Sequence, residues 1–127
     1  MSQNTSLLDA VVDVVRGLKL PPVRLEQDVV QAIRQAFLSA EIVFEEEMTI
    51  SPRCRVDFLV GGGVVVEVKK GKPNTRRVNE QVARYASCDR VSGVVLVSER
   101  GLFDHLDEAH GKPVRYVALS KNWGLTT

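Results

Sequence analysis

One stretch constrains the fold of this chain more than any other. It is CRVDFLV at residues 54–60, then Gly61, Gly62 and Gly63, then VVVEVK at 64–69. Two β-prone runs split by glycines read as a hairpin. A loop symmetric about Gly62 sets Val60 opposite Val64, Leu59 opposite Val65, Phe58 opposite Val66, and Asp57 opposite Glu67. Side chains alternate along a strand. One predicted face therefore carries Val56, Phe58, Val60, Val64, Val66 and Val68, all apolar, and the other carries Arg55, Asp57, Leu59, Val65, Glu67 and Lys69. A slip of one residue would mix the two sets, so the pattern itself selects this register.

The register puts two carboxylates side by side with a lysine two positions beyond. Like charges directly opposed are destabilising unless something offsets them. A divalent cation does so, and Mg²⁺ favours carboxylate, carbonyl and water oxygens. Asp57, Glu67 and the carbonyl of Val68 are the candidate ligands. An ion held there would activate water and offset charge on a phosphate, with Lys69 orienting the attacking water or meeting the developing charge. The plain alternative is a solvated strand face on which Arg55 and Lys69 pair with the acids. Asp57→Ala is expected to abolish turnover while leaving the fold intact or slightly more stable without metal, since it relieves repulsion.

Three further features accompany the hairpin. Glu26 shares a helix side with Val30, Ile33 and Phe37, where its carboxylate can reach a metal site; otherwise it is a first-turn acid favoured by the helix dipole. Gln81 and Tyr85 lie one helical turn apart, suited to a nucleotide's phosphate and sugar, or else a surface amide and a core tyrosine. Lys69, Lys70, Lys72, Arg76 and Arg77 fall in one stretch without an acid. With a formal net charge of only +1, phosphate binding has to come from such a local patch.

The rest of the chain supplies helices and strands around the hairpin. Leu8, Val11, Val12, Val15 and Leu18 recur at helical spacing over Ser6–Leu18, with Pro21 and Pro22 as a stop. A second helix is expected over Leu25–Ser39 and a third over Arg76–Ser87. Strands are expected at 42–50, at Gly93–Val97 and at Val114–Leu119, with a short helix over Leu102–Ala109. In the first of these strands Ile42, Phe44, Met48 and Ile50 share a side on which Glu46 sits awkwardly, as a bulge would explain. The 127 residues form one α/β domain with a mixed central β-sheet flanked by helices.

At these residues the sequence resembles the PD-(D/E)XK nuclease superfamily. The matching pieces are Asp57, the Glu67-Val68-Lys69 tripeptide and a Glu on a preceding helix, Glu26. Gln81 and Tyr85 are similar to the QxxxY element of its RecB-like branch. The match runs from about Leu25 to Val97, with 1–20 as an N-terminal helix and 98–127 as a C-terminal helix and strand. Val56 stands where the name-giving Pro would be. The resemblance implies a restriction-endonuclease-like core and Mg²⁺-dependent cleavage of DNA, with Mn²⁺ able to substitute. It implies Glu26, Asp57 and Glu67 as metal ligands, Lys69 as the catalytic lysine, and Gln81 and Tyr85 as substrate contacts. It also implies frequent dimerisation, and, without the helicase modules that often accompany RecB-like domains, a protein that acts alone, as an oligomer, or with a separate helicase or recombination partner.

Other residues suit ordinary roles. His105 and His110 sit among Asp104, Asp107 and Glu108, as expected of a solvated helix. Trp123 reads as an anchor for the tail, and Cys54 and Cys88 as free thiols of an intracellular, cytoplasmic protein. No apolar run is long enough to cross a bilayer. Leu7, Leu8, Val11, Val12, Val15 and Leu18 give the first helix a wide apolar surface, suited equally to a dimer contact or to the core. Two functions compete: a DNA nuclease of repair, recombination or mobile elements, and a catalytically silent nucleic-acid-binding or assembly module. An RNA-directed nuclease is the runner-up among enzymes.

Overall fold

A computed structural model describes residues 3–20, 25–71, 73–100 and 105–119. Lys72, Asp104, Trp123 and the Pro21-Pro22 stop lie outside these residues. Two helices come first, α1 (Gln3–Arg16) and α2 (Glu26–Ser39). The antiparallel strands β1 (Phe44–Ser51), β2 (Cys54–Val60) and β3 (Val64–Lys69) follow. Helix α3 (Thr75–Ala86) then crosses to β4 (Gly93–Ser98), and β5 (Glu108–Ala109) and β6 (Lys112–Ala118) end the described chain. The strand order is β1-β2-β3-β4-β6-β5, with β3, β4 and β6 mutually parallel. This is the expected α/β class with a mixed sheet.

Each helix has a local cause. Asp28 accepts the Leu25 N–H at 2.8 Å at the start of α2, whose acidic first turn suits the helix dipole. Asn74 caps α3 by accepting the Arg77 N–H at 3.0 Å. Helices α1 and α2 bury one stripe each, Leu8, Val11, Val12, Val15 and Leu18 joining Val29, Ile33 and Phe37 against one sheet face. Phe37, Phe44 and Phe58 meet there with ring centroids 5.5–5.8 Å apart. Helix α3 covers the other face with Val78, Val82, Tyr85 and Ala86. The apolar stripe of α1 is thus buried within the chain and serves the core. Strands β3 and β4 are buried on both faces, which explains their nearly unbroken apolar sequence.

Two expectations are corrected. The single apolar face of the hairpin is broken at Asp57. Phe58, Val60, Val64, Val66 and Val68 do face α1 and α2, but Val56 and Cys54 join Leu59 and Val65 in the core beneath α3. Strand β1 switches in the same place, Ile42 and Phe44 packing on the first side, Met48 and Ile50 on the second. Pairing keeps one register across the switch, Glu46 with Phe58 and Met48 with Val56, so no residue is inserted. The change comes from Glu47, whose φ of 49° is left-handed and costs about 1–2 kcal/mol for a side-chain-bearing residue. Glu46 meets α2 instead of apolar neighbours: Arg34 grips it through two hydrogen bonds of 2.6 and 2.8 Å.

The second correction is the helix expected over Leu102–Ala109. Its described part, 105–109, is not helical. Glu108 and Ala109 instead pair with Pro113 and Lys112 around a two-residue turn. His110 and Gly111 hold φ of 52° and 75° there, the double left-handed turn that tight hairpins need.

Candidate active site

The site forms where β2 and β3 part. Their ladder runs over Val60–Val64, Leu59–Val65 and Phe58–Val66, the expected register. The next step would set Asp57 against Glu67, and here side chains replace backbone rungs. The Asp57 N–H donates to Glu67 Oε1 at 3.0 Å, and the Val68 N–H donates to Asp57 Oδ2 at 2.8 Å. Each carboxylate therefore stitches the opposite strand, which no reading of alternation predicted.

Helix α3 closes the site from above. Tyr85 OH lies 3.1 Å from Glu67 Oε2 and 3.3 Å from the Arg55 carbonyl, and accepts a 2.7 Å bond from Gln81 Nε2. Gln81 Nε2 also lies 3.4 Å from Glu67 Oε2, while its Oε1 accepts from Lys69 Nζ. The Lys69 ammonium stands 3.8 Å from Glu67 Oε2. Spacing of four on one helix face thus delivers an amide and a phenol to the same carboxylate.

The electrostatics follow from burial. Glu67 is only 8% exposed. Burial above all, and then the charge of Asp57, push its carboxyl up to about 7, against the pull of the Asp57 N–H, Lys69 and Tyr85. Asp57 is also raised, first by burial and then by Glu26 and Glu47, against the Val68 N–H and Lys69. Tyr85 is pushed upward by burial and by Glu67, so it stays a neutral donor.

One buried and one half-buried acid, both with raised pKa values, are a pair whose charge is incompletely offset. Their hard oxygens fit Mg²⁺, which is commonly held by one or two carboxylates with water completing the shell. Among the described residues no three His, Cys, Asp or Glu side chains cluster to hold a metal together. Glu26, exposed in the first turn of α2, lines a cleft of about 620 Å³ beside Asp57, and its charge acts on that carboxyl. It stands near the pair without completing a triad.

The basic stretch divides. Lys69, Lys70 and Arg77 line a second cleft of about 480 Å³ together with Arg84. Arg76 is 89% exposed, lies 3.6 Å from Glu80 and takes no part in that lining. Lys72 lies outside the described residues. Arg84 was missed from sequence, although it follows Arg77 by seven and Gln81 by three and so shares their helix face. His105 is half-buried, stacked on Tyr116 at 5.2 Å and 3.6 Å from Asp107, while His110 is a turn residue. Neither histidine joins the hairpin site. No helix among the described residues is long and apolar enough to cross a membrane.

The expected set therefore sorts by distance. Asp57, Glu67, Lys69, Gln81 and Tyr85 are joined in one chain of hydrogen bonds and an ion pair, Glu26, Lys70 and Arg77 line neighbouring clefts, and Arg76 stands apart. No family model, no curated protein and no solved structure matches the chain.

Proposed function

We propose that this chain is a Mg²⁺-dependent deoxyribonuclease with a restriction-endonuclease-like core, of the RecB-like kind within the PD-(D/E)XK superfamily. The observation that carries the reading is the opposed pair of half-buried Asp57 and buried Glu67 at the parting of β2 and β3, with Lys69 beside it. Asp57, Glu67 and the Val68 carbonyl would hold Mg²⁺, which when bound would supply positive charge against the scissile phosphate and acidify water. The chain's own residues do the rest. Gln81 holds the Lys69 ammonium by its carbonyl oxygen, so the cation is aimed before substrate arrives. Tyr85 keeps a proton on its oxygen and fixes one oxygen of Glu67. Lys70, Arg77 and Arg84 hold DNA phosphates in the adjoining cleft.

The test is incubation with linear, nicked, branched and single-stranded DNA in Mg²⁺, Mn²⁺ or EDTA. Cleavage in either metal, lost in EDTA and in Asp57→Asn, is expected. Cleavage undiminished by EDTA, or none in any metal, refutes the reading. The second outcome would favour a catalytically silent nucleic-acid-binding module. The reading extends to a homodimer, in which a symmetric pair would meet both strands of a duplex. Sedimentation checks this, and a monomer at micromolar concentration refutes it.

A further inference from the structure

The three parallel strands end together. Lys69 pairs with Ser98 and Ser98 with Ala118, so β3, β4 and β6 stop in one row. Just past that row, Lys70, Glu99 and Leu119 meet the start of α2 around a crevice of about 260 Å³. In open α/β sheets the space outside the carboxyl ends of the strands is where ligands bind. Here its walls are apolar. Val29, Val68 and Leu119 belong to the core beneath α1 and α2, and the crevice is where that core opens outward. Leu25 stands at its mouth, 62% exposed. The backbone there is fixed, the Leu25 N–H donating to Asp28 at 2.8 Å and its carbonyl accepting the Asp28 N–H at 3.0 Å. Single exposed leucines need no explanation, but this one carries an apolar wall from the core to the surface.

Two cations tie this crevice to the proposed active site. Lys69 and Lys70 line both the crevice and the cleft beneath α3. Its volume is below the roughly 300–1,000 Å³ usual for ligand pockets, so it suits one ring system and not an extended chain. A bare anion would need the lysines alone and would make no use of Leu25, Val29, Val68 and Leu119. Apolar walls with cations at the rim fit a flat ring that carries an anion, as a nucleobase carries its phosphate. We infer that the crevice takes one unpaired nucleobase whose phosphate lies at Lys69 and Lys70. The base beside that phosphate leaves its stack and rests against Leu25 on the α2 side of the sheet, while the strand continues along α3 on the other. Unstacking costs least where a base is already unpaired, so single-stranded DNA or a mispaired position is taken ahead of intact duplex. The inference rests on the nuclease reading for the role of the phosphate and adds a subsite for a base.

The first experiment needs no cleavage. Deoxyadenosine monophosphate, and deoxyribose phosphate which lacks the base, are titrated into the full chain in EDTA and followed by amide chemical shifts. The nucleotide should bind at least tenfold more tightly and should shift Val29, Val68 and Leu119. Equal binding of the two, no shift in the millimolar range, or shifts confined to α3 would overturn the inference. Leu25→Ser shortens the apolar wall and puts a favourable cap at the start of α2, so the fold is retained. It should remove most of the nucleotide's advantage and leave deoxyribose phosphate binding unchanged. An advantage that survives intact in the variant puts the base elsewhere, and the inference fails.

The second experiment uses Mg²⁺ and a single-stranded oligonucleotide along which one abasic position is walked. Cutting should fall at least fivefold at one fixed distance from the abasic position and be unchanged elsewhere, and Leu25→Ser should flatten that pattern. Cutting indifferent to the abasic position refutes the inference and leaves the nuclease reading standing. If no DNA is cut in any metal but deoxyadenosine monophosphate still outbinds deoxyribose phosphate, the nuclease reading falls and the crevice stands as a nucleotide site.

Discussion

Replacing Glu67 by Gln should stabilise the metal-free protein in alkaline solution. The carboxyl lies at about 7 in the folded chain against an ordinary 4.5. Between those values the folded chain holds a proton that the unfolded chain has released, so stability falls as pH rises through this window. A span of about 2.5 pH units at about 1.4 kcal/mol each comes to roughly 3 kcal/mol. Wild type should have this stability below about pH 4.5 and have lost it by about pH 8. Gln cannot ionise, yet its oxygen can still accept the Asp57 N–H. Urea unfolding in EDTA at steps from about pH 5 to pH 8 should show the two proteins nearly equal at the acid end. At the alkaline end the variant should be ahead by up to about 3 kcal/mol. A smaller slope of the same sign should persist in the variant, because Asp57 is raised as well. Added Mg²⁺ should stabilise wild type more than the variant. Wild type and variant curves that run parallel across the range would refute the reasoning.

Four further outcomes are expected. Tyr85→Phe removes the hydroxyl that meets Glu67, Gln81 and the Arg55 carbonyl, and should lower unfolding free energy by about 1–3 kcal/mol in urea titrations. Arg84→Ala should flatten the salt dependence of single-strand binding by about 0.7 in log–log slope, whereas Arg76→Ala, exposed and beside Glu80, should leave it unchanged; filter binding in EDTA reads both. Phe37→Ala empties a fully buried site between Phe44 and Phe58 and should cost about 3–5 kcal/mol by the same unfolding assay. Gly61→Ala places a methyl 2.5 Å from Leu7 Cδ2 at a φ of 57°, while Gly62→Ala meets nothing within 4 Å. The first should lower the melting temperature more than the second, which bears only the backbone penalty of about 1–2 kcal/mol.

The hairpin was legible because its signals are local and redundant. Glycines mark the turn, valines mark the strands, and a slip in register would have buried charge. Gln81 and Tyr85 were legible because helical spacing fixes a shared face. The face switch at Asp57 was not, since it depends on a left-handed glutamate, Glu47, that nothing in its neighbourhood announces. The Arg34–Glu46 pair joins a helix to a strand 12 residues on, a contact that periodicity cannot supply. The β5–β6 hairpin was lost because apolar spacing before His110 imitated a helix, and the turn chemistry of His110-Gly111 outweighed it. The expectation for Asp57→Ala acquires an opposing cost. Besides relieving repulsion, the change strips the Val68 N–H of its acceptor, at about 1–3 kcal/mol.

That last point reaches beyond stability. The acids at 57 and 67 are also fasteners, closing a seam where two strands would otherwise leave amide donors bare. A relative of this chain without any activity would still lose stability at the seam if it discarded them. Persistence of the pair in a sequence is therefore a record of architecture as much as of chemistry. Lys69 is different: its ammonium is held by Gln81 and stands near Glu67 without bridging a strand gap. Under the proposed nuclease function, drift at 69 with 57 and 67 retained would mark a copy that kept the scaffold without the reaction.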